Sequence, residues 1–525
     1  MIKQNRKLFI GVCIIFIIAF TLLITKNIEN HWDIIAADEL MYLAFGKNLF
    51  HEIRFDWGFM YNVWYKFVSI FNTNSIDLYY LNYKILMVLV PVLLFILLIT
   101  LNVQLEISFI LTILFTITKL HITTWPFVSD FCIAIFLAFF IVQKYIKGND
   151  LKSILFLFVT WLIYLTRPEY IIAVILASIW TIYLNRKNKI RWIFPLFSAV
   201  IIYYVQANTY QLAGYDRDFL AFAAHYAVTY NLWYKPTDFT AGKYFAMAPK
   251  LFGTSYTLIG TFLYNPLIVL QHIITCIGMY FLSMFKAFED LLLPAVWFKF
   301  LGKFRHVLFS IIVLALAYQY KKHFFRKPKD VDSFILISLA LLFIPAMVPN
   351  FIIGFNAHYI QLHFILFIIL IAIYFLSHIQ LNIPKWILPI LLVVSFIFKP
   401  TLNNYGFQQN EMEESNNMPT KKVIQYLTNT FDGKKHILIA TQSNLFYAID
   451  GGHKFTGIDL ISINKPFLQF VKEKNVDYVY IDTTMFKNEA LMNDKEFLAL
   501  LKDYELYGFK KVQIKNSKNY LLEKK

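Results

Sequence analysis

The chain has 525 residues, of which 58% are hydrophobic and 16% charged, and its mean hydropathy is +0.55. Soluble domains carry roughly a quarter charged residues, so this composition excludes a soluble globular protein and predicts an integral membrane protein. The formal charge of +16 then marks cytoplasmic loops rather than a nucleic-acid-binding surface. Three cysteines, all within apolar stretches, exclude a disulfide scaffold and a cysteine-rich metal site.

Eleven apolar runs are candidate transmembrane helices. The first follows three basic residues and precedes no small-residue cleavage site, so we interpret it as a retained helix rather than a signal peptide. Several runs are shorter than the ~20 residues that cross a bilayer, which predicts tilted or partly re-entrant helices. The runs are 8–25, 83–101, 105–119, 127–146, 151–165, 170–184, 192–206, 307–320, 333–349, 359–377 and 386–398.

Four basic clusters predict the orientation, because cytoplasmic loops retain Lys and Arg. Placing the clusters inside the cell puts the N-terminus inside. It puts the first outer loop (27–82), the long segment 207–306 and the tail after residue 398 outside. If the apolar stretch 266–285 crossed the membrane, the last basic cluster would lie outside the cell. We therefore predict an interfacial or re-entrant helix there. The clusters lie within residues 3–7, 144–152, 186–191 and 321–329.

The tail, residues 401–525, differs in character from residues 1–400. It alternates helical periods with short β-rich runs such as HILIA and DYVYID, which predicts a small extracytoplasmic α/β domain after a transmembrane domain. The tail holds 17 Lys and Arg against 15 Asp and Glu, a net charge of +2. The excess positive charge therefore belongs to the membrane part.

The first outer loop carries an adjacent acid pair, Asp38 and Glu39, in a stretch with helical periodicity. Neighbouring residues lie about 100° apart around a helix, so the two carboxylates should point in different directions. One carboxylate at the outer membrane edge would be a general base. The alternative is a surface helix with solvated acids near its N-terminus. The aromatic stretch 57–71 that follows predicts an amphipathic helix lying in the interface.

Three further positions fall on the same predicted outer face. Asp130 opens a span, where an acid is either a helix N-cap or a second site carboxylate. Arg167 and Glu169 flank a proline between two apolar runs, and an arginine there either snorkels, pairs with a carboxylate or binds a phosphate. His358 and Tyr359 begin a later span. The histidines lack metal-ligand spacing, so no metal-binding residue is assigned and the use of a divalent ion stays open.

The order of these features resembles the GT-C membrane glycosyltransferases, in particular bacterial relatives of the protein O-mannosyltransferases and the lipid A aminoarabinose transferases. The resemblance covers nearly the whole chain. It rests on ADELMYLAFGKNLF, FDWGFMYNVW, SDFCIAIFLAFF, LTRPEY and FLQFVKEKNVDYVYID.

The resemblance implies a GT-C-like fold and an enzyme of the bacterial inner membrane. Such an enzyme transfers a sugar from a polyprenyl-phosphate-linked donor to a glycan, lipid or protein acceptor on the outer face. Asp38 matches the family's base, Glu39 the second member of its acid pair, and Asp130 a further outer acid. Arg167 and Glu169 match its R-P-E turn, which implies donor-phosphate binding.

Two departures limit the resemblance. Many relatives have Arg-Tyr where this chain has His358-Tyr359, and a histidine is a weaker, pH-dependent phosphate partner. The aminoarabinose transferases also place a lysine where residues 56–58 read Asp-Trp-Gly. A polysaccharide polymerase or ligase, and a non-enzymatic lipid-linked-sugar flippase, remain alternatives. The first places its reactive loop later in the chain, and the second predicts an internal symmetry that the sequence lacks.

Overall fold

The computed structural model is that of a helical membrane protein with a small β-sheet near the C-terminus. It describes residues 2–35, 38–51, 53–55, 57–123, 126–207, 217–234, 250–253, 257–324, 333–354, 357–378, 384, 387–405, 419–430, 436–439, 443–450, 454–457, 465–482, 485–487, 489–514 and 519–525.

The helices up to the tail are α1 (Ile2–Ile24), α2 (Asp38–Lys47), α3 (Phe59–Val68), α4 (Ser75–Thr100), α5 (Leu105–Thr116), α6 (Val128–Val142), α7 (Asn149–Tyr164), α8 (Ile171–Leu184), α9 (Ile193–Ala207), α10 (Arg217–Tyr234), α11 (Leu258–Tyr264), α12 (Pro266–Leu292), α13 (Ala295–Phe298), α14 (Phe304–Phe324), α15 (Ser333–Val348), α16 (Ala357–Tyr374) and α17 (Ile387–Ile397). The tail adds α18 (Pro419–Thr430), α19 (Phe467–Glu473), α20 (Glu489–Met492) and α21 (Lys495–Lys502). A π-helical turn, Pro349–Ile353, follows α15.

Each of the eleven predicted apolar runs contains a helix, but the number of membrane crossings is not confirmed. Several of these helices are short: α5 has 12 residues, about 18 Å at 1.5 Å per residue, against a bilayer core of about 30 Å. Within the described ranges, six helical segments are long and apolar enough to cross, or seven if a pair bent by 111° counts as one. The six are Arg6–Asn30, Ser75–Thr100, Val128–Tyr145, Lys189–Ala207, Pro266–Leu292 and Ser333–Ile353.

Helix α12 contains the stretch predicted to be interfacial or re-entrant. It is one helix of 27 residues, so its length allows it to cross. Its first half lies beside the π-helical turn, because the Nε2 atom of His272 is 3.2 Å from the carbonyl oxygen of Ile353. Beyond its second half, the Trp297 indole donates a 2.7 Å hydrogen bond to the carbonyl of Phe398, close to the start of the tail. The interfacial or re-entrant placement of residues 266–285 stays a prediction.

The tail forms the predicted α/β domain. Its five-stranded sheet has the order β2-β1-β3-β5-β4, with β1 parallel to β2 and β3, and β5 antiparallel to β3 and β4. All four residues of β3 are buried, as expected for a central strand covered on both faces. The strands are β1 (His436–Ile439), β2 (Lys454–Gly457), β3 (Tyr478–Ile481), β4 (Phe509–Gln513) and β5 (Tyr520–Lys524).

The tail packs against the first outer loop. One hydrophobic cluster contains Tyr79 and Tyr80 of α4 together with Ile424 and Leu427 of α18 and Tyr480 of β3. The predicted first loop and the tail therefore share one packed core, and their placement outside the cell stays a prediction.

Candidate functional site

Helices α2 and α3 of the first loop are in close contact at Gly46. A Cβ atom on this glycine would lie 2.4 Å from the Cβ atom of Tyr65 and 2.8 Å from the carbonyl oxygen of Asn62. Such distances are shorter than van der Waals contact, so the pairing depends on a residue without a side chain. This contact sets the relative position of the acid pair on α2 and the tyrosines on α3.

Glu39 lies in a buried polar cluster. Its Oε1 atom accepts hydrogen bonds from the hydroxyl groups of Tyr61 (2.7 Å) and Tyr65, and from the amide of Asn82 on α4 (3.2 Å). The Asn82 oxygen in turn accepts a 2.7 Å bond from the indole of Trp64. Burial raises the pKa of the Glu39 carboxyl from its ordinary 4.5 to about 8, although the tyrosine hydrogen bonds oppose the rise.

Asp38 points the other way, as predicted for adjacent helical residues. Its side chain is exposed, whereas Glu39 is 4% exposed. One turn further along the same face of α2 lies Tyr42, which is close enough to Arg167 to interact with its charge. Asp38 therefore lies on the α2 face that leads toward Arg167, where solvent can reach its carboxylate.

Asp130 is completely buried in the first turn of α6 and does not cap the helix. The N-cap residue is Phe127, and Oδ1 of Asp130 instead accepts a hydrogen bond from the Gln361 amide on α16. The N-cap alternative is therefore wrong. The other oxygen, Oδ2, has no hydrogen-bond partner among the described residues. The carboxyl lies near enough to Glu39 for their charges to interact.

Arg167 is held on three sides. Its Nε and Nη2 atoms are each 2.5 Å from Oε1 of Glu169, and Nη1 donates a 3.2 Å hydrogen bond to the Ser129 hydroxyl on α6. The guanidinium carbon lies 4.6 Å from the ring centre of Tyr359, within cation–π distance. The residue is 8% exposed and its guanidinium pairs with a carboxylate, which is one of the alternatives that the sequence leaves open, while phosphate binding stays a prediction.

The structure therefore brings together most of the predicted residues. Backbone contact joins the two halves of the site, because the amide of Met60 on α3 lies 3.4 Å from the carbonyl of Leu165 in the LTRPEY turn. His358 belongs to α16, but its side chain lies outside the described part of the chain. The residues brought together are Asp38, Glu39, Asp130, Arg167, Glu169 and Tyr359.

Sequence reasoning missed the residues that hold these side chains. Tyr61 and Tyr65 are spaced four apart, which is a visible sign of a shared helix face, yet the sequence analysis predicts only an amphipathic helix in the interface there. Asn82 was assigned to the loop end, although it lies inside α4. Gln361 carries no local signal, because its role depends on the packing of α16 beside α6.

Chemically, this end of the bundle offers an exposed carboxylate, two buried acids and a guanidinium. Exposed Asp38 can accept a proton from an incoming hydroxyl group, and Arg167 can bind an anionic oxygen. Among the described residues, no group of three or more His, Cys, Asp and Glu side chains is arranged to hold a metal ion.

Comparison with models of known protein families finds no match, and comparison with curated proteins finds none. The functional argument therefore depends on the residues and their geometry.

Proposed function

We propose that this chain is a GT-C-type membrane glycosyltransferase that moves a sugar from a polyprenyl-phosphate-linked donor to a glycan, lipid or protein acceptor on the extracytoplasmic face. The observation that carries the proposal is the placement of exposed Asp38 next to Glu39, on a helix whose Tyr42 lies near the Arg167–Glu169 pair. The buried carboxyl groups of Glu39 and Asp130 are close enough for their charges to interact. A base and a cation at one end of an apolar helical bundle are the parts that such a transfer requires.

The donor would lie with its chain in lipid and its phosphate at the membrane edge. Arg167 is fixed by Glu169 and Tyr359, and its Nη1 edge faces the Ser129 hydroxyl. A phosphate oxygen would bind at that edge and would accept a hydrogen bond from Nη1 alongside the Ser129 hydroxyl. Neutral or cationic lipids would gain nothing from this arrangement, so it favours an anionic headgroup.

Asp38 would take the proton of the acceptor hydroxyl as the acceptor oxygen attacks the anomeric carbon. The bond between that carbon and the phosphate oxygen breaks, and polyprenyl phosphate leaves with the electron pair, stabilised by Arg167. One displacement inverts the anomeric configuration. Glu39 and Asp130, which are buried, would hold the surrounding helices rather than contact the acceptor.

The proposed arrangement in the bacterial inner membrane has about eleven crossings. The N-terminus is cytoplasmic, and the first loop and the tail are extracytoplasmic. The packing of the tail against the first loop supports this scheme, because the two parts must then share one side.

The test uses purified full-length protein in lipid nanodiscs with a labelled polyprenyl-phosphate sugar and candidate acceptors. We expect sugar to appear on an acceptor with inverted anomeric configuration, together with release of polyprenyl phosphate. A parallel assay in liposomes follows movement of the intact donor between leaflets. Lipid translocation without transfer to any acceptor would contradict the proposal and favour a flippase, and retention of configuration would exclude the single displacement.

A further inference from the structure

The tail and the first loop each supply a carboxylate to a helix N-terminus in the other part. Asp33 of the loop accepts 2.8 Å hydrogen bonds from the backbone amides of Thr420 and Lys421 at the start of α18. Asp450 of the tail accepts bonds from the backbone amide (3.2 Å) and hydroxyl (2.8 Å) of Ser75 at the start of α4. The first amides of a helix lack intrahelical partners and carry partial positive charge, so both contacts are stabilising.

Asp450 also reaches α2, the helix that carries the acid pair. Its carboxylate forms a salt bridge with Lys47, the last residue of α2, and the Lys47 ammonium donates a 2.9 Å bond to the Ser75 hydroxyl. The side chains of Lys47 and Asp450 are 20% and 32% exposed, so solvent screens this pair less than a fully exposed one.

An aromatic contact strengthens the same junction. The ring of Phe45 on α2 meets the ring of Tyr447 edge to face, with centroids 5.5 Å apart. Tyr447 belongs to a short helical turn, Ser443–Ala448, which ends two residues before Asp450. One short segment of the tail therefore contacts the C-terminal end of α2 through a salt bridge and an aromatic contact. We call the contacts Lys47–Asp450 and Phe45–Tyr447 the α2 clamp.

The clamp acts on a short, stiff element. Helix α2 has 10 residues and is about 15 Å long at 1.5 Å per residue. Its N-terminal end is tied to α3 and α4 through Glu39, and its C-terminal end is tied to the tail through the clamp. The same end of α2 also packs on α3, at Gly46 and through a 3.1 Å bond from the Lys66 ammonium to the carbonyl of Lys47. Loss of the clamp would therefore leave α2 held by α3 and α4 alone, which loosens the helix that carries Asp38.

We propose that the tail domain is a positioning part of the active site, in which Asp450 and Tyr447 hold α2 so that Asp38 faces the donor site at Arg167. These two tail residues are positioning residues, since they act through Lys47 and Phe45. The effect of the α2 clamp on catalysis rests on the proposed function, whereas the contacts that form the clamp do not.

The test is hydrogen–deuterium exchange of the full-length protein in nanodiscs, comparing wild type with Asp450→Asn. We expect the amides of α2 to exchange about two- to fivefold faster in the variant, because loss of the salt bridge favours local opening. Strands β3 and β5 should keep their wild-type exchange, which excludes general unfolding of the tail. The matched control is Glu505→Gln, which removes an exposed tail carboxylate before β4 and should leave α2 unchanged.

Exchanging the charges of Lys47 and Asp450 distinguishes a loss of positioning from a loss of folding. Lys47→Asp and Asp450→Lys should each accelerate exchange in α2, and the double variant should recover part of the protection. In the transfer assay, kcat should fall with Asp450→Asn and return in part with the double variant, while the KM for the donor changes little.

The outcomes distinguish the two proposals. Unchanged α2 exchange in Asp450→Asn would overturn the clamp, whatever the activity. Faster exchange in α2 with unchanged kcat would overturn its positioning role. Faster exchange in a protein that transfers no sugar in any form would leave the clamp standing and contradict the proposed function.

Discussion

At the residue scale, Glu39 shows how environment separates two adjacent acids. Asp38 is exposed, whereas Glu39 lies between two tyrosines and an asparagine. The sequence could predict that the pair diverges, because the helix angle alone requires it. It could not predict which acid is buried, because that depends on α3 and α4, which pack from elsewhere in the chain.

The raised pKa of Glu39 has a consequence for stability. Burial raises this pKa from 4.5 to about 8, so the folded protein keeps a proton that the unfolded chain releases between these values. The contribution is fully present below pH 4.5 and is lost as the pH rises through about 8. Glu39→Gln removes the titrating group.

We therefore expect the unfolding temperature of Glu39→Gln in detergent to fall less than that of wild type between about pH 5 and about pH 8.5. Differential scanning fluorimetry across this range measures the slope. Glu505→Gln, an exposed acid, should keep the wild-type slope. Equal slopes in all three proteins would show that Glu39 does not titrate in this range.

Arg167 provides a second test at this scale. Arg167→Lys keeps the charge but cannot bond Glu169 through two nitrogens, reach Ser129 and stack on Tyr359 together. We expect the Kd for polyprenyl phosphate to rise about tenfold, because a fixed guanidinium is lost. Arg186→Lys is the matched control, because Arg186 is exposed and its guanidinium stacks on the ring of Tyr183. An unchanged Kd for Arg167→Lys would remove this arginine from the donor site.

At the element scale, the contact between α2 and α3 depends on Gly46. An added methyl group would overlap the side chain of Tyr65 and the backbone of Asn62, which cannot both move without separating the helices. We expect Gly46→Ala to destabilise the protein by about 1–3 kcal/mol. The matched control is Gly278→Ala in α12, where nothing lies within 4 Å of the added atom.

Chemical unfolding followed by tryptophan fluorescence measures the change. Alanine has the higher helix propensity, so Gly278→Ala should be neutral or slightly stabilising. If Gly46→Ala behaved like Gly278→Ala, the close approach of α2 and α3 would not matter for the fold.

Element prediction succeeded where hydropathy is strong and failed where packing decides. The β-rich runs HILIA and DYVYID of the tail form β1 and β3, and every predicted apolar run contains a helix. The starts were less predictable: α4 begins at Ser75 rather than residue 83, because Asn74 caps it through the amides of Ile76 and Asp77. Its first turns are polar and carry Asn82, so hydropathy alone placed that residue outside the helix.

At the scale of the whole molecule, contacts join the tail to the first loop, and the basic clusters predict which side that is. The pattern of charge predicts that both parts lie outside the cell, and the two reciprocal helix caps join them to each other. Hydropathy predicts the number of membrane crossings less well, because short helices such as α5 are apolar but shorter than a bilayer core.

Cysteine labelling tests the orientation. Cys13, Cys132 and Cys276 are buried, so new cysteines at exposed positions can be labelled selectively by a membrane-impermeant maleimide. We expect Asp77→Cys and Glu505→Cys to react in intact cells, and Arg186→Cys to react in inverted vesicles. Labelling of Asp77→Cys and Glu505→Cys from opposite sides would contradict the packing of the tail on the first loop.

The central claim is that Asp38 is the general base of sugar transfer, and its most direct test is the transfer rate of Asp38→Asn in nanodiscs. We expect kcat to fall by about 10²-fold or more, because the asparagine amide cannot accept the acceptor proton. Asp77→Asn, which alters an exposed acid of the same loop, should retain the wild-type rate. Undiminished transfer by Asp38→Asn would contradict the account.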